Sequence, residues 1–110
     1  MKNLILITIL YSSFCFCGSG SGKISRIYAH ESNNGDGVIM FAVEKHENPP
    51  EDCPGHEWAF DASTNTGQAM YSLLISAAMQ ETPIIVQGAA DCDAWHDRER
   101  PTWIKVEYGQ

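Results

Sequence analysis

The sequence predicts a mainly β domain carrying one helix, and three observations support that expectation. Short apolar or alternating runs at 24–30, 38–43, 58–60, 84–87 and 102–108 are separated by turn-forming residues, which is how strands are written in sequence. One stretch, from about 64 to 80, instead repeats its apolar residues at three- and four-residue spacing. The chain has 110 residues, 44% of them hydrophobic and 19% charged, so it reads as one small globular domain outside the composition range of disordered chains.

The first element is a leader. Lys2 gives a single positive charge, and the apolar run Leu4 to Tyr11 is too short to cross roughly 30 Å of hydrocarbon. Small residues follow at Cys15, Cys17, Gly18 and Ser19, so residues 1–17 are expected to be a signal peptide cleaved after Cys17. The protein is then secreted or periplasmic, residues 18–23 form a Gly/Ser linker, and 24–110 form the domain. A lipid-modified Cys17 on a flexible tether is the alternative, but bulky Phe16 fits lipoprotein processing badly. Losing Lys2 leaves 6 basic residues of the original 7 against 14 acidic ones, a formal charge of -8. Such a surface has no electrostatic footprint for nucleic acid or anionic lipid.

In the mature chain, Arg26, Tyr28 and His30 alternate with Ile27 and Ala29, the pattern of a half-buried first strand. Asn33 to Gly37 is a cluster that tolerates positive φ and predicts a hairpin turn into the second strand, Val38 to Val43. That strand is apolar on both faces, so its second face needs cover as well, and another subunit is one source. Glu44 to Gly55 reads as an exposed loop, and Trp58-Ala59-Phe60 as a short third strand whose two aromatic rings share a face. Ser63 or Thr64 can cap the helix, with Gln68 supporting a start at Asn65 instead. Met70, Leu73, Leu74, Ala77 and Ala78 form the expected core stripe, widened by Tyr71 and Ile75. No charged residue lies between Asp61 and Glu81, so this helix wants a second apolar partner, and Tyr71, Ile75 and Met79 are the candidate oligomer contacts. Pro83 stops the helix, Ile84 to Gln87 makes the fourth strand, Gly88 ends or bends it, and Thr102 to Tyr108 makes the fifth.

Only Cys53 and Cys92 remain after the leader is lost. An oxidising compartment and a domain too small to be generously stable predict a disulfide between them, closing a loop of about 40 residues for about 4 kcal/mol of stability. Zinc is the rival, since Cys53-x-x-His56 and Cys92-x-x-x-His96 have usable spacings, but exported thiols oxidise more often than they coordinate metal. No metal or other cofactor is expected.

The order β-β-β-α-β-β, with the helix between the third and fourth strands, is what a five-stranded OB-type Greek-key barrel requires. Trp58-Ala59-Phe60-Asp61-x-Ser63-Thr64-x-x-Gly67-x-Ala69-Met70-Tyr71-Ser72-Leu73-Leu74 and Gly88-x-x-x-Cys92-x-x-Trp95 resemble bacterial proteins described as similar to the subtilase cytotoxin B subunit. The resemblance spans Cys53 to Val106, about half the chain. It implies a secreted OB-fold that assembles as a homo-oligomer, a pentameric ring in the toxin subunits, and binds cell-surface glycans or glycoproteins. It leaves open whether a catalytic A subunit accompanies it, and it transfers no individual glycan-binding residue.

From the residues themselves, the candidate ligand-binding positions are Trp95, His96 and Arg98 within Asp91 to Arg100. An indole can pack on the apolar face of a sugar while planar carboxylates and a guanidinium take its hydroxyls. The plainer reading is a solvated loop pinned by its cysteine around a core tryptophan. Asp91, Asp93 and Asp97 lack the glycine and terminal glutamate of a calcium loop. The four histidines form no recognised catalytic signature, and G-x-S-x-G, H-E-x-x-H and a phosphate-cradling glycine loop are missing, so no catalytic residue is expected. The expected function is a non-catalytic receptor-binding module. A small secreted or periplasmic inhibitor of a hydrolase is the alternative.

Overall fold

A computed structural model describes residues 16–107. Residues 1–15, most of the expected leader, and the last three residues, Tyr108 among them, lie outside the described residues. The elements follow the expected order: β1 Ser19–Glu31, β2 Gly37–Glu47, β3 Trp58–Asp61, α1 Asn65–Met79, β4 Ile84–Gly88 and β5 Pro101–Val106. All strand pairs are antiparallel in one sheet of order β3-β2-β1-β4-β5. The sheet is not closed. Its edges approach at one parallel bridge between Trp58 and Glu99, where the Ala59 N–H donates to the Glu99 carbonyl at 3.1 Å.

The glycines at the start corrected one expectation. Gly18 to Gly22, read as a linker, lead into and form the first part of the central strand. Ser19 to Gly22 pair with Gln87 to Ile84 of β4, while Ser19 to Ser21 pair with Glu47 to Lys45 of β2. These positions are glycine because the backbone passes close to a large side chain: a Cβ on Gly20 would sit 3.0 Å from Trp58 Nε1. Gly22, at φ 109°, occupies the irregular stretch between Ser21 and Ile24 where β1 shifts register against β2.

Above that irregularity β1 and β2 form the expected hairpin, closed by the Ser32–Asp36 turn with the Ser32 N–H donating to Asp36 O at 2.8 Å. All six residues from Val38 to Val43 are buried. Ile39, Phe41 and Val43 enter the main core with Trp58, Phe60, Met70, Leu74, Ala77, Ile84, Val86 and Ile104. Val38 and Met40 face the other way, and there the cover is intramolecular: with Ala59 they form a second cluster under Tyr28, Ala94 and Trp95. A second subunit is therefore not required to bury this strand.

α1 is capped by Thr64, whose Oγ1 accepts from the Gly67 N–H at 2.9 Å, while Ser63 donates its hydroxyl to Asp61. Its buried stripe is narrower than the sequence suggests. Gly67, Met70, Leu74 and Ala77 face the sheet, whereas Leu73 is exposed and Ala78 only half-buried. Tyr71, Ile75 and Met79, spaced four residues apart, are exposed along one flank of the helix. Thr64→Ala removes the side-chain acceptor that caps this helix start and is expected to cost about 1 kcal/mol. Urea unfolding would show it as a lower midpoint with an unchanged slope; an unchanged midpoint would contradict the assigned cap.

Candidate functional site

The segment from Ala89 to Arg100, between β4 and β5, carries the residues singled out above, and backbone and side-chain bonds hold it in shape. Its two ends meet: the Ala89 N–H donates to Arg100 O at 2.8 Å and the Arg100 N–H to Asp91 O at 2.8 Å. The Arg100 guanidinium donates through Nε and Nη2 to the two Asp91 oxygens at 3.1 and 2.8 Å. Burial pushes the Asp91 carboxyl up, but these bonds and the Asp93 N–H outweigh it and hold it below the usual range. Cys92 is bonded to Cys53 with a Cα–Cα distance of 5.7 Å, tying the segment to the β2–β3 connection. Both cysteines being used in that bond, neither offers a thiolate to zinc.

Inside this frame Trp95 lies half-buried over the Val38–Met40–Ala59 cluster with its ring centroid 4.7 Å from that of His30. A groove of about 440 Å³ opens beside it, walled by Ser32 and Asn33 of the hairpin turn and by Asp93, Ala94, Trp95 and His96. A neighbouring groove of about 430 Å³ extends along the same turn past Asn34, Asp36, Asp61 and Arg100. Hydroxyl, amide, carboxylate and guanidinium groups thus line a shallow surface next to one indole. The arrangement can offer several directional hydrogen bonds and one apolar contact.

The three candidate ligand residues divide. Trp95 and His96 share the groove, and the His96 side chain is 81% exposed with Nε2 3.9 Å from Asp97 Oδ2. Arg98 is directed elsewhere: its Nε donates to Glu57 Oε1 at 3.0 Å, and Nη1 pairs with Asp97. Glu57 is the residue sequence reasoning missed. Only 5% exposed, it accepts from Tyr28 Oη at 2.7 Å and Arg26 Nε at 2.7 Å as well as from Arg98. Burial raises its carboxyl, but the bonds from Tyr28, Arg98 and Arg26 prevail, and it is held below the ordinary range. Tyr28 is raised in turn by its own burial and by donating to Glu57.

Two further buried or half-buried polar groups lie at the far end of β2. The His46 ring stacks on Trp58, centroids 4.5 Å apart and 17° between planes, and burial together with nearby His56 keeps it below the ordinary histidine range, neutral at pH 7. Glu99 is fully buried at the seam between β3 and β5. A larger cavity of about 910 Å³ opens beside the disulfide, bordered by Phe16, Cys17, Pro49, Pro50, Cys53 and Cys92 among others. Among the described residues no cluster of three His, Cys, Asp or Glu is placed to hold a metal ion, and no helix is long and apolar enough to cross a membrane.

Comparison of the chain with protein-family models, with curated proteins and with solved structures finds no match, so the functional argument rests on the groove and the fold.

Proposed function

We propose that this is a secreted, non-catalytic receptor-binding module of the toxin B-subunit type, and that its ligand is a glycan held in the groove between the Ser32–Asp36 turn and Trp95. The observation that carries the reading is that groove: an indole fixed on a rigid, disulfide-tied loop, next to hydroxyl, amide and carboxylate groups on a facing turn. Sugars are recognised by such a mixture, because a pyranose has one apolar face and a rim of hydroxyls. The element order and the single bridge between β3 and the residues before β5 support an OB-type barrel as the scaffold, since that bridge lies where such a barrel closes.

Self-association belongs to the same reading. The exposed Tyr71, Ile75 and Met79 flank gives the helix an apolar contact for further copies, and several weak sugar sites on one assembly raise the effective concentration of each. A glycan array probed with the purified protein is the direct test. Binding to sialylated or other cell-surface glycans is expected, with a loss of about tenfold or more in Trp95→Ala, whose apolar contact is worth roughly 1–2 kcal/mol. No glycan binding, combined with tight capture of a secreted hydrolase, would replace this reading with the inhibitor.

A further inference from the structure

Glu99 is 0% exposed, and among the described residues no Lys, Arg or His forms an ion pair with it. A carboxylate taken fully out of water without a countercharge is costly. Its oxygens instead converge on one backbone nitrogen: Oε1 and Oε2 both lie 3.0 Å from Gly18 N, and Oε2 also accepts from the Ala90 N–H at 2.9 Å. Burial pushes this carboxyl up, and nearby Asp91, itself paired with Arg100, adds to the effect. The backbone is packed tightly around the group. A Cβ on Gly18 would meet Oε1 at 2.5 Å, and one on Gly88 would meet Oε2 at 2.0 Å.

The nitrogen those oxygens bracket belongs to the first residue after the bond at which the leader is expected to be cut. We propose that processing after Cys17 makes Gly18 the mature amino terminus, and that its α-ammonium forms a buried ion pair with Glu99 that locks the start of β1 to the β3–β5 seam. Hydrolysis breaks the Cys17–Gly18 C–N bond; the oxygen of water joins the Cys17 carbonyl carbon, and the released nitrogen takes up protons to become an ammonium. That charge arises 3.0 Å from both oxygens, where the uncut chain offers only an amide dipole. Gly18 does not depend on the preceding residues for its position, because its carbonyl accepts from the Gly88 N–H at 2.9 Å and Ser19 pairs with Gln87. Of the two described residues that leave, Phe16 is 80% exposed, and Cys17, itself disulfide-bonded, receives a hydrogen bond from Gln87 Nε2 at 3.0 Å. Phe16 and Cys17 also border the large cavity beside the disulfide, whose lining includes neither Gly18 nor Glu99.

The proposal rests on the export reading and is independent of the glycan. The full chain, expressed with its own leader in an exporting bacterium, is examined first by intact mass. A chain starting at Gly18 is expected, 110 less 17 residues, with two hydrogens missing for the disulfide. Native acylation with an amine reagent should then modify Lys23, Lys45 and Lys105 at least about tenfold faster than the α-amine, with the protection lost in urea or in Glu99→Gln. A variant keeping one extra serine before Gly18 is expected to melt at least about 5 °C lower. An unprocessed chain would overturn the export reading itself. Processing at another bond, a lipidated Cys17, or an α-amine that reacts as fast as the lysines would leave export standing and overturn the ion pair. If Glu99→Gln fails to fold, protection of the native α-amine still decides.

Discussion

The Cys53→Ser, Cys92→Ser double variant is expected to lose about 4 kcal/mol of stability, which for a domain of this size lowers the melting temperature by about 20 °C. The bond closes a loop between residues 39 apart, and in the chain-entropy account the reduced, unfolded chain recovers the freedom that this closure removes. What it joins matters as much as the span. Cys53 is 0% exposed in the β2–β3 connection, and Cys92 opens the segment that lays Ala94 and Trp95 over the second face of β2. Releasing that segment threatens the cover of Val38 and Met40 and the shape of the groove together. Replacing both cysteines avoids a free thiol that could pair between chains. Urea unfolding of both forms measures the difference, and a loss below about 1 kcal/mol would mean that the Arg100–Asp91 pair and the backbone bonds of the segment suffice to hold it.

The elements were legible in sequence because each has its own period or punctuation. Alternation placed β1 and β5, the Asn33 to Gly37 cluster placed the hairpin, and Thr64 and Pro83 bracketed the helix. The errors share one cause: the decisive partner is distant in sequence. Gly18 to Gly22 have linker composition, and only the approach of Trp58 to Gly20 and of Glu99 to Gly18 explains why a central strand begins with glycines. The doubly apolar Val38 to Val43 run announced that two faces needed cover, but not that the second cover would come from Trp95 more than fifty residues later. Leu73 fits the helical stripe by spacing, yet the single sheet beneath α1 accommodates only Gly67, Met70, Leu74 and Ala77. For Glu99 a signal was available. Glu99 sits between Arg98 and Arg100, and a lone acid flanked by two arginines just before the alternating Thr102 to Tyr108 run marks a position where the chain could turn a carboxylate inward, although Arg98 is itself mostly covered by its bond to Glu57. For Glu57 there was none, because its donors come from β1 and from the 89–100 segment.

Glu57→Gln is expected to cost about 2–3 kcal/mol at pH 7 and much less at pH 3. Removing the charge leaves two arginines and a tyrosine arranged around an amide that can accept from fewer of them. A fully buried pair broken in this way costs roughly 3–5 kcal/mol, but here the Arg26 side chain is 59% exposed and can recover water, so the lower figure applies. The folded-state pKa of Glu57 is held below its unfolded value, so its contribution is present above the ordinary carboxylate range and is lost as pH falls through the lowered value. Asp91 acts in the same direction. In the uncut chain Glu99 opposes them: burial raises its folded pKa, so the stability it contributes there is greatest in acid and declines as pH rises through the raised value, an opposition that the proposed ion pair with the mature amino terminus would remove. Urea midpoints of the native chain and of Glu57→Gln at pH 7 and pH 3 test this, and an equal difference at both values would remove the charge from the explanation. The consequence reaches the groove because Glu57 fixes Arg98, and the Arg98 N–H donates to Trp95 O at 3.1 Å. Loosening that turn would let Trp95 lose its fixed place beside Ser32 and Asn33, so the glycan binding proposed above is expected to weaken in Glu57→Gln, and to weaken less in Arg26→Gln, whose guanidinium does not meet the turn.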